Sequence, residues 1–291
     1  MTNSPLATPS ATIGLLKRYG LATKKSLGQH FLVDDNVVGR IIDLAALSGD
    51  ETVVEVGPGI GTLTLALCAR AGAVLAVERD SDLLPVLAET TAGCGRFAVV
   101  RADAVAVLPS QLSEPFGPPV ALVANLPYAV AATVVLRFFQ EIPTLQTATV
   151  MVQSEVADRM AAAPGGKEYG SYTVKLRLLA EPAGRFNVAR TCFLPPPRVD
   201  SAVLRLQRHP LSEDPALLGV AARLAESAFA QRRKTLRNSL RATLGVEPAV
   251  LDSALARAGI DGSLRAERLS APRFLDLARE FANSGVAILP R

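Results

Sequence analysis

Four consecutive residues, Asn125-Leu126-Pro127-Tyr128, hold the most constraining chemistry in this sequence. The exocyclic amine of adenine is a poor nucleophile because its lone pair is spread into the ring. Two acceptors that hold its N–H bonds would draw the nitrogen toward a tetrahedral geometry. The side-chain carbonyl of Asn125 and the backbone carbonyl of Leu126 can be those two. Pro127 stiffens the turn, and Tyr128 offers a face for a base, a contact worth about 1–3 kcal/mol. Singly, these residues more often mean a buried Asn in a tight turn beside a core Tyr. Their order, directly after a strand, gives them weight.

A second constellation lies upstream. Glu55-Val56-Gly57-Pro58-Gly59-Ile60-Gly61-Thr62 follows a β-rich run and opens a helical one, the place where open α/β sheets bind nucleotide-like ligands. Glycine lets the backbone turn tightly and approach a ligand without a Cβ in the way. The Gly57, Gly59, Gly61 spacing is GxGxG, not the GxGxxG that seats a dinucleotide pyrophosphate, which disfavours an NAD-dependent oxidoreductase. Glu78 ends the next strand, where a carboxylate can accept both ribose hydroxyls of an adenosine ligand. Asp103 follows the third strand and can accept from that ligand's adenine amine. S-adenosyl-L-methionine fits these demands. Its sulfonium is already activated, so transfer to an amine needs positioning for in-line attack rather than a strong base.

Strands whose ends converge must position these groups. Thr52 to Val56, Val74 to Glu78, Phe97 to Arg101, Val120 to Ala124 and Thr147 to Val152 read as strands. Thr62 to Arg70, Asp80 to Glu89 and the stretches after the last two strands read as helices. This alternation predicts βαβ units and a mainly parallel sheet. Val203 to Gln207 alternates apolar and polar residues, as expected of an edge strand added late. Pro210 to Pro215 reads as a polar linker. Beyond it, Ala216 to Phe229, Lys234 to Leu244, Ala249 to Ala258 and Pro272 to Ala282 have helical spacing, with Ser270 as an N-cap for the last. The expected organisation is a flexible segment over 1–23, whose first ten residues are rich in Ser, Thr and Pro, a doubly wound α/β domain over 24–208, and a helical domain over 214–291.

The 291 residues suffice for this, and 49% apolar with 20% charged residues describes a globular chain. A net charge of +4 and a pI near 9.1 hint mildly at a polyanionic partner. Cys68, Cys94 and Cys192 are odd in number and widely spaced, and His30 and His209 are the only histidines. Neither a disulfide framework nor a metal site is expected, and a reducing cytoplasm fits. Pro119 to Phe139 is apolar enough to resemble a membrane span, but Asn125, Pro127 and Tyr128 break it into a strand and a helix.

Lys25-Ser26-Leu27-Gly28-Gln29-His30-Phe31-Leu32, the glycine motif, Glu78, Asp103 and Asn125 to Tyr128 occur in the order of the KsgA/RsmA family of 16S rRNA adenine dimethyltransferases. Phe193-Leu194-Pro195-Pro196-Pro197-Arg198-Val199-Asp200-Ser201-Ala202 resembles that family's late FxPxPxVDSA signature, and the resemblance runs from roughly residue 24 to 280. It implies a Rossmann-like class I S-adenosylmethionine methyltransferase domain with a mainly parallel seven-stranded sheet, and a small all-helical C-terminal domain. It also implies cofactor contacts at His30, Leu32, Gly57, Glu78, Asp103 and Asn125, with Phe193 holding a flipped adenine opposite Tyr128. The implied reaction is dimethylation at N6 of adjacent adenines in a terminal hairpin loop of 16S rRNA, within the small ribosomal subunit, by a cytoplasmic monomer. One departure stands out: the family usually has Asn where this chain has His30. Imidazole differs from an amide in shape and in titration. Cofactor affinity is therefore expected to vary across the pH range where His titrates, and calorimetry on His30→Asn should show that variation gone.

Arg232, Arg233, Lys234 and Arg237 form the densest basic run. A helix there would stack Arg233, Arg237 and Arg241 on one face, able to neutralise RNA phosphates while the pocket reads the base. Lys24 and Lys25 supply a second basic patch near the catalytic mouth. Charge alone would favour a solvated helix face, and the family's QRRKxLRN-like stretch, which recurs here, tips the reading toward RNA. Two alternatives stay open: an Erm-type 23S rRNA adenine methyltransferase, and a non-catalytic assembly or transcription factor. Erm proteins tend to carry Phe at the position of Tyr128, and an intact Asn125 to Tyr128 argues against lost catalysis.

Overall fold

The computed structural model describes residues 2–24, 28–231, 233–285 and 288. Lys25 and Arg232, both expected to meet RNA, lie outside the described residues. The chain divides into two compact units, Met1–Ala157 with Pro182–Gln207, and Asp158–Glu181 with Arg208–Arg291.

The first unit opens on helix α1 (Pro9–Arg18), followed by β1 (Phe31–Leu32) and α2 (Asp35–Ala45). This corrects the flexible segment expected over 1–23. Thr8 caps α1 by accepting from the Ala11 N–H at 3.2 Å, and Pro9 fills its first position, a pairing that starts helices because proline has no N–H to satisfy there. The backbone N–H groups of Asn3 and Ser4 donate to the Asp35 carboxylate at 3.0 and 2.8 Å. Leu15 and Leu16 are buried in a cluster with Phe31, Ile60, Leu83 and Val86. The Ser/Thr/Pro composition that reads as a tail is thus a capped and docked helix.

Then follow β2 (Thr52–Val56), α3 (Thr62–Cys68), β3 (Ala73–Glu78), α4 (Leu84–Thr90), β4 (Phe97–Arg101), α5 (Pro109–Ser113), β5 (Ala121–Asn125), α6 (Ala131–Glu141) and β6 (Thr147–Gln153). Every residue of β3 is buried, which explains its unbroken Ala-Val-Leu-Ala-Val run: helices cover both faces of a parallel sheet. After α7 (Ser154–Ala161) and α8 (Ser171–Arg177) come β7 (Ala180–Val188), β8 (Phe193–Leu194) and β9 (Ser201–Arg208). The seven-stranded sheet has the order β4-β3-β2-β5-β6-β9-β7. β2 through β6 are parallel, and β9 runs antiparallel to β6. Strand order reverses between β2 and β5, and that switch point is where such sheets bind ligands.

Two expectations about this half need correction. β9 is not the edge strand, since β7 lies outside it. β7 carries Pro182 and Gly184, which weaken a strand signal but are tolerated at a sheet edge. The domain boundary also differs: 158–181, read as part of the α/β domain, belongs to the helical unit. There Tyr169, Val174 and Leu178 join the same apolar cluster as residues beyond 220.

The second unit is completed by α9 (Pro215–Phe229), α10 (Leu236–Leu244), α11 (Pro248–Arg257) and α12 (Ala271–Asn283). Its core contains Leu224, Leu240, Leu251, Phe274, Leu277 and Phe281, each fully buried. Ser270 occupies the N-cap position of α12 without a side-chain cap bond. Among the described residues no helix is long and apolar enough to cross a membrane.

Candidate active site

The C-terminal ends of β2, β3 and β5, the turn after β4 and the segment entering β1 enclose a cavity of about 350 Å³. That matches the smaller end of small-molecule sites, about 300–1,000 Å³. His30, Leu32, Gly57, Gly59, Glu78, Asp103, Asn125, Leu126, Pro127 and Tyr128 all line it, so ten of the expected site positions, scattered along the sequence, meet around one cavity.

The turn after β2 is shaped by close contacts. The Gly57 N–H donates to Val77 O at 2.9 Å, which fastens the turn to β3. Gly59 has φ +61°, and a Cβ there would lie 3.2 Å from the Phe31 ring. Gly61 is different. It precedes α3 with φ +92°, and a Cβ would fall 2.8 Å from Thr90 Oγ1. It does not line the cavity; its lack of a side chain lets α4 pack close, a packing requirement rather than a ligand contact.

Glu78 is buried, and each of its oxygens already accepts a backbone N–H, from Asp80 at 2.7 Å and Gly59 at 3.4 Å. Burial pushes its carboxyl above the ordinary range, against the pull of those N–H donors. Asp103 is part-exposed, pairs with Arg79 at 3.1 Å and accepts from the Val105 N–H. Glu55, which sequence reasoning placed in the motif without a role, also lines the cavity. It is 1% exposed and accepts from the Thr64 hydroxyl at 2.7 Å. Burial raises its carboxyl to about 8, opposed by the Thr64 hydrogen bond and aided by the Glu78 charge. The folded value exceeds the unfolded one, so the native state holds an extra proton between roughly pH 4.5 and 8, and stability falls as pH rises through that window. Glu55→Gln should flatten this stretch of the stability profile; an unchanged slope in denaturant titrations across it would count against the assignment.

Of the three acidic side chains that line the cavity, Glu55 keeps its proton up to about pH 8 and Asp103 is paired with the lining Arg79, which leaves Glu78 as the acceptor with no cationic partner among the described residues. The buried Glu78 acceptor and the Gly59 cradle fit an adenosyl group.

At the end of β5 the Asn125 Nδ2 donates to the His30 carbonyl at 3.2 Å. This orientation leaves Asn125 Oδ1 as the acceptor available to an incoming amine. The Leu126 N–H is spent on Met151 O at 3.1 Å, which holds the turn against β6. The His30 Nδ1 donates to the Pro195 carbonyl at 2.8 Å, and its ring stacks on Tyr128 with centroids 5.8 Å apart and planes 23° from parallel. The ring stacked against Tyr128 is that of His30. Phe193 pairs with Leu32 across β1 and β8 and is 2% exposed within the apolar core. It is not among the residues that line the cavity.

A family profile described as ribosomal RNA adenine dimethylase matches residues 20–283. The chain belongs to that family. This dimethylase is 43% identical over 296 residues to "Ribosomal RNA small subunit methyltransferase A" of Rhodococcus erythropolis, covering 95% of this chain and 97% of the relative. It is also 43% identical over 268 residues to the protein of the same name from Magnetococcus marinus, covering 91% and 94%. Among solved structures, 23S rRNA methyltransferase ErmE matches with a TM-score of 0.64 at 31% identity, covering 87% of this chain and 99% of that one. A dimethyladenosine transferase from Plasmodium falciparum shares the fold, with a TM-score of 0.77 at 24% identity over 89% of this chain and 100% of that one. The dimethylase is accordingly an rRNA adenine methyltransferase with the class I, Rossmann-like sheet anticipated from its motifs.

The basic residues are arranged differently from expectation. Lys24 Nζ bonds Asp80 and Asp82, each at 2.7 Å, and Gln29 Nε2 donates to the other Asp80 oxygen at 2.7 Å. Lys24 thus ties the segment entering the cavity to the turn after β3. Thr235 caps α10, accepting from the Asn238 N–H at 3.4 Å, so Arg233 precedes the helix and the expected Arg233-Arg237-Arg241 stripe does not form. Arg237 and Arg241 share Asp252 at 3.0 and 2.8 Å. Arg233 and Lys234 are exposed and make no ion pair among the described residues.

Proposed function

We propose that this dimethylase transfers two methyl groups from S-adenosyl-L-methionine to N6 of adjacent adenines in a terminal hairpin loop of 16S rRNA, within the small ribosomal subunit during its biogenesis, acting as a cytoplasmic monomer. The observation that carries the reading is the orientation of Asn125. Its amide nitrogen is committed to His30, which leaves the amide oxygen for the substrate amine. The small-subunit assignment draws support from the relatives' names.

Glu78 would hold the ribose hydroxyls, Asp103 the adenine amine, and the turn of Gly57 and Gly59 the remainder of the adenosylmethionine. When bound, that cofactor supplies an electrophilic methyl on sulfonium sulfur. In the first transfer Asn125 Oδ1 and the Leu126 carbonyl hold the two N–H bonds of the target amine, and its lone pair turns toward the methyl; the singly methylated amine keeps one N–H, which one of the two acceptors holds for the second. Tyr128 holds the base by stacking. The amine nitrogen gains the methyl as its bond to sulfur breaks, leaving a neutral thioether, and the surplus proton passes to solvent afterwards, so none of these residues needs to remove a proton before attack and the rate comes from alignment. The reacting amine stays flanked by acceptors as it gains charge.

Labelled methyl transfer onto three acceptors tests this: small subunits lacking adenine dimethylation, large subunits, and protein-free rRNA. Dimethyladenosine on the small subunit is the expected product. Label on large-subunit RNA alone would move the enzyme to the Erm type. Cofactor binding without transfer to any acceptor would leave an assembly factor.

Among the described residues of the basic run, exposed Arg233 and Lys234 make no ion pair and are free to meet phosphate. Reversing both to Glu should weaken subunit binding and reduce its log–log salt slope by about 2, near one per lost phosphate contact, with cofactor affinity unchanged. An unaltered salt slope would remove them from the interface.

A further inference from the structure

Tyr128 is fixed by a contact that the motif reading did not supply. Its hydroxyl lies 2.7 Å from Ser201 Oγ, seventy-three positions along the chain. Ser201 is wholly buried at the start of β9. It pairs in register with Gln153 of β6, and the adjoining Asp200 carbonyl accepts from the Ser154 N–H at 3.1 Å. Asp200 Oδ1 also accepts from the Arg190 N–H at 3.1 Å. The serine is therefore part of the rigid sheet, whereas Tyr128 sits in a turn, half-buried at the cavity. On its other side the tyrosine ring meets His30, which is itself held to Pro195.

A stacking platform is useful only if its plane is set. A turn residue held by packing on one ring can tilt about its side-chain torsions. A hydroxyl bonded to a buried strand residue removes that freedom, and a base on the ring inherits the alignment. Misplacement by about 1 Å can cost on the order of 10²-fold in rate. A phenylalanine would offer the same face without the anchor.

We propose that Ser201 is a positioning residue for adenine capture: its buried hydroxyl anchors Tyr128 and thereby sets the plane against which the target base stacks in line with the methyl donor. This rests on the adenine-methylating reading of the site. Ser201 touches neither cofactor nor base and acts through Tyr128 alone.

The test is a mutant cycle in the full chain. Tyr128→Phe keeps the ring and Ser201→Ala keeps the strand; each should lower kcat about tenfold, while the dissociation constant for S-adenosylmethionine stays that of the wild type. Because both remove the same bond, the double variant should be no slower than either single one. A second readout does not depend on turnover. The chain has four tyrosines and no tryptophan, so the Tyr128 ¹³Cζ resonance can be assigned, and it should move in Ser201→Ala. If Ser201→Ala fails to fold, Tyr128→Phe still carries the kinetic test. Multiplicative losses in the double variant, full activity in Tyr128→Phe, or an unmoved Cζ resonance would each overturn the proposal. A wild type that transfers no methyl to any RNA, yet shows the Cζ shift, would instead overturn the functional reading while the anchor stands.

Discussion

Asn125→Ala is expected to lower kcat for methyl transfer by about 10²–10³-fold, the scale of losing one preorganised polar contact to a reacting centre. Alanine removes the Oδ1 acceptor that faces the cavity, so one N–H of the substrate amine loses its partner and the lone pair stays in conjugation with the ring. It also removes the donor to the His30 carbonyl, and some loss of cofactor affinity should accompany the rate defect. Single-turnover label transfer at saturating cofactor separates the two. Asn125→Asp sharpens the distinction. It keeps an acceptor for the amine but sets an oxygen against the His30 carbonyl, so its defect should fall more heavily on the cofactor dissociation constant. A rate within tenfold of wild type for Asn125→Ala would exclude this residue from the chemistry.

Glu78→Ala should weaken cofactor binding by at least about 10²-fold. Hydrogen bonds to a charged acceptor contribute about 1.5–3 kcal/mol each, and each 1.4 kcal/mol is tenfold. The substitution also strands the Asp80 and Gly59 N–H groups that converge on the carboxylate. The same site predicts a pH dependence. Burial raises the Glu78 carboxyl above the usual carboxylate range; protonation would put a hydrogen where a ribose hydroxyl must donate. Affinity should therefore fall as pH drops, beginning at a higher pH than for an exposed Glu, and Glu78→Gln should bind weakly and lack this acid-side fall. Isothermal titration over a pH series reads both effects. Parallel profiles for wild type and Glu78→Gln would mean that another group titrates.

Much of the site was legible because its residues sit where strands end, and strands declare themselves locally. Thr52–Val56 and Phe97–Arg101 form as their apolar runs predict, so Gly57, Glu78, Asp103 and Asn125 could be placed by counting from strand ends. What escaped depends on partners remote in sequence. Ser201 looks like any strand residue until β9 packs beside β6. Gly61 reads as one more glycine of a ligand loop until Thr90 of α4 is placed against it. Phe193 belongs to a signature whose pairing beside β1 and burial are visible only in the fold. The basic run failed more locally: the Thr235 cap starts the helix at Leu236, two residues beyond the expected Lys234, which leaves Arg233 too far outside it to stack with Arg237 and Arg241. β7 was lost because Pro182 and Gly184 argue against a strand unless its edge position is already known.

The antiparallel entry of β9 between β6 and β7 also bears on biosynthesis. When Gln153 leaves the ribosome, β6 has its parallel neighbour β5 in hand, but its other side is an unpaired row of backbone donors and acceptors flanking an apolar surface. Such an open strand is a template for misassociation with other chains. Its partner begins only at Ser201, a delay of about 2–10 s at roughly 5–20 residues per second. For that interval the nascent sheet is the vulnerable species, and shielding from its neighbours on a polysome would matter more to yield than the final fold's stability. A chain whose translation stalls between these strands leaves that surface uncovered.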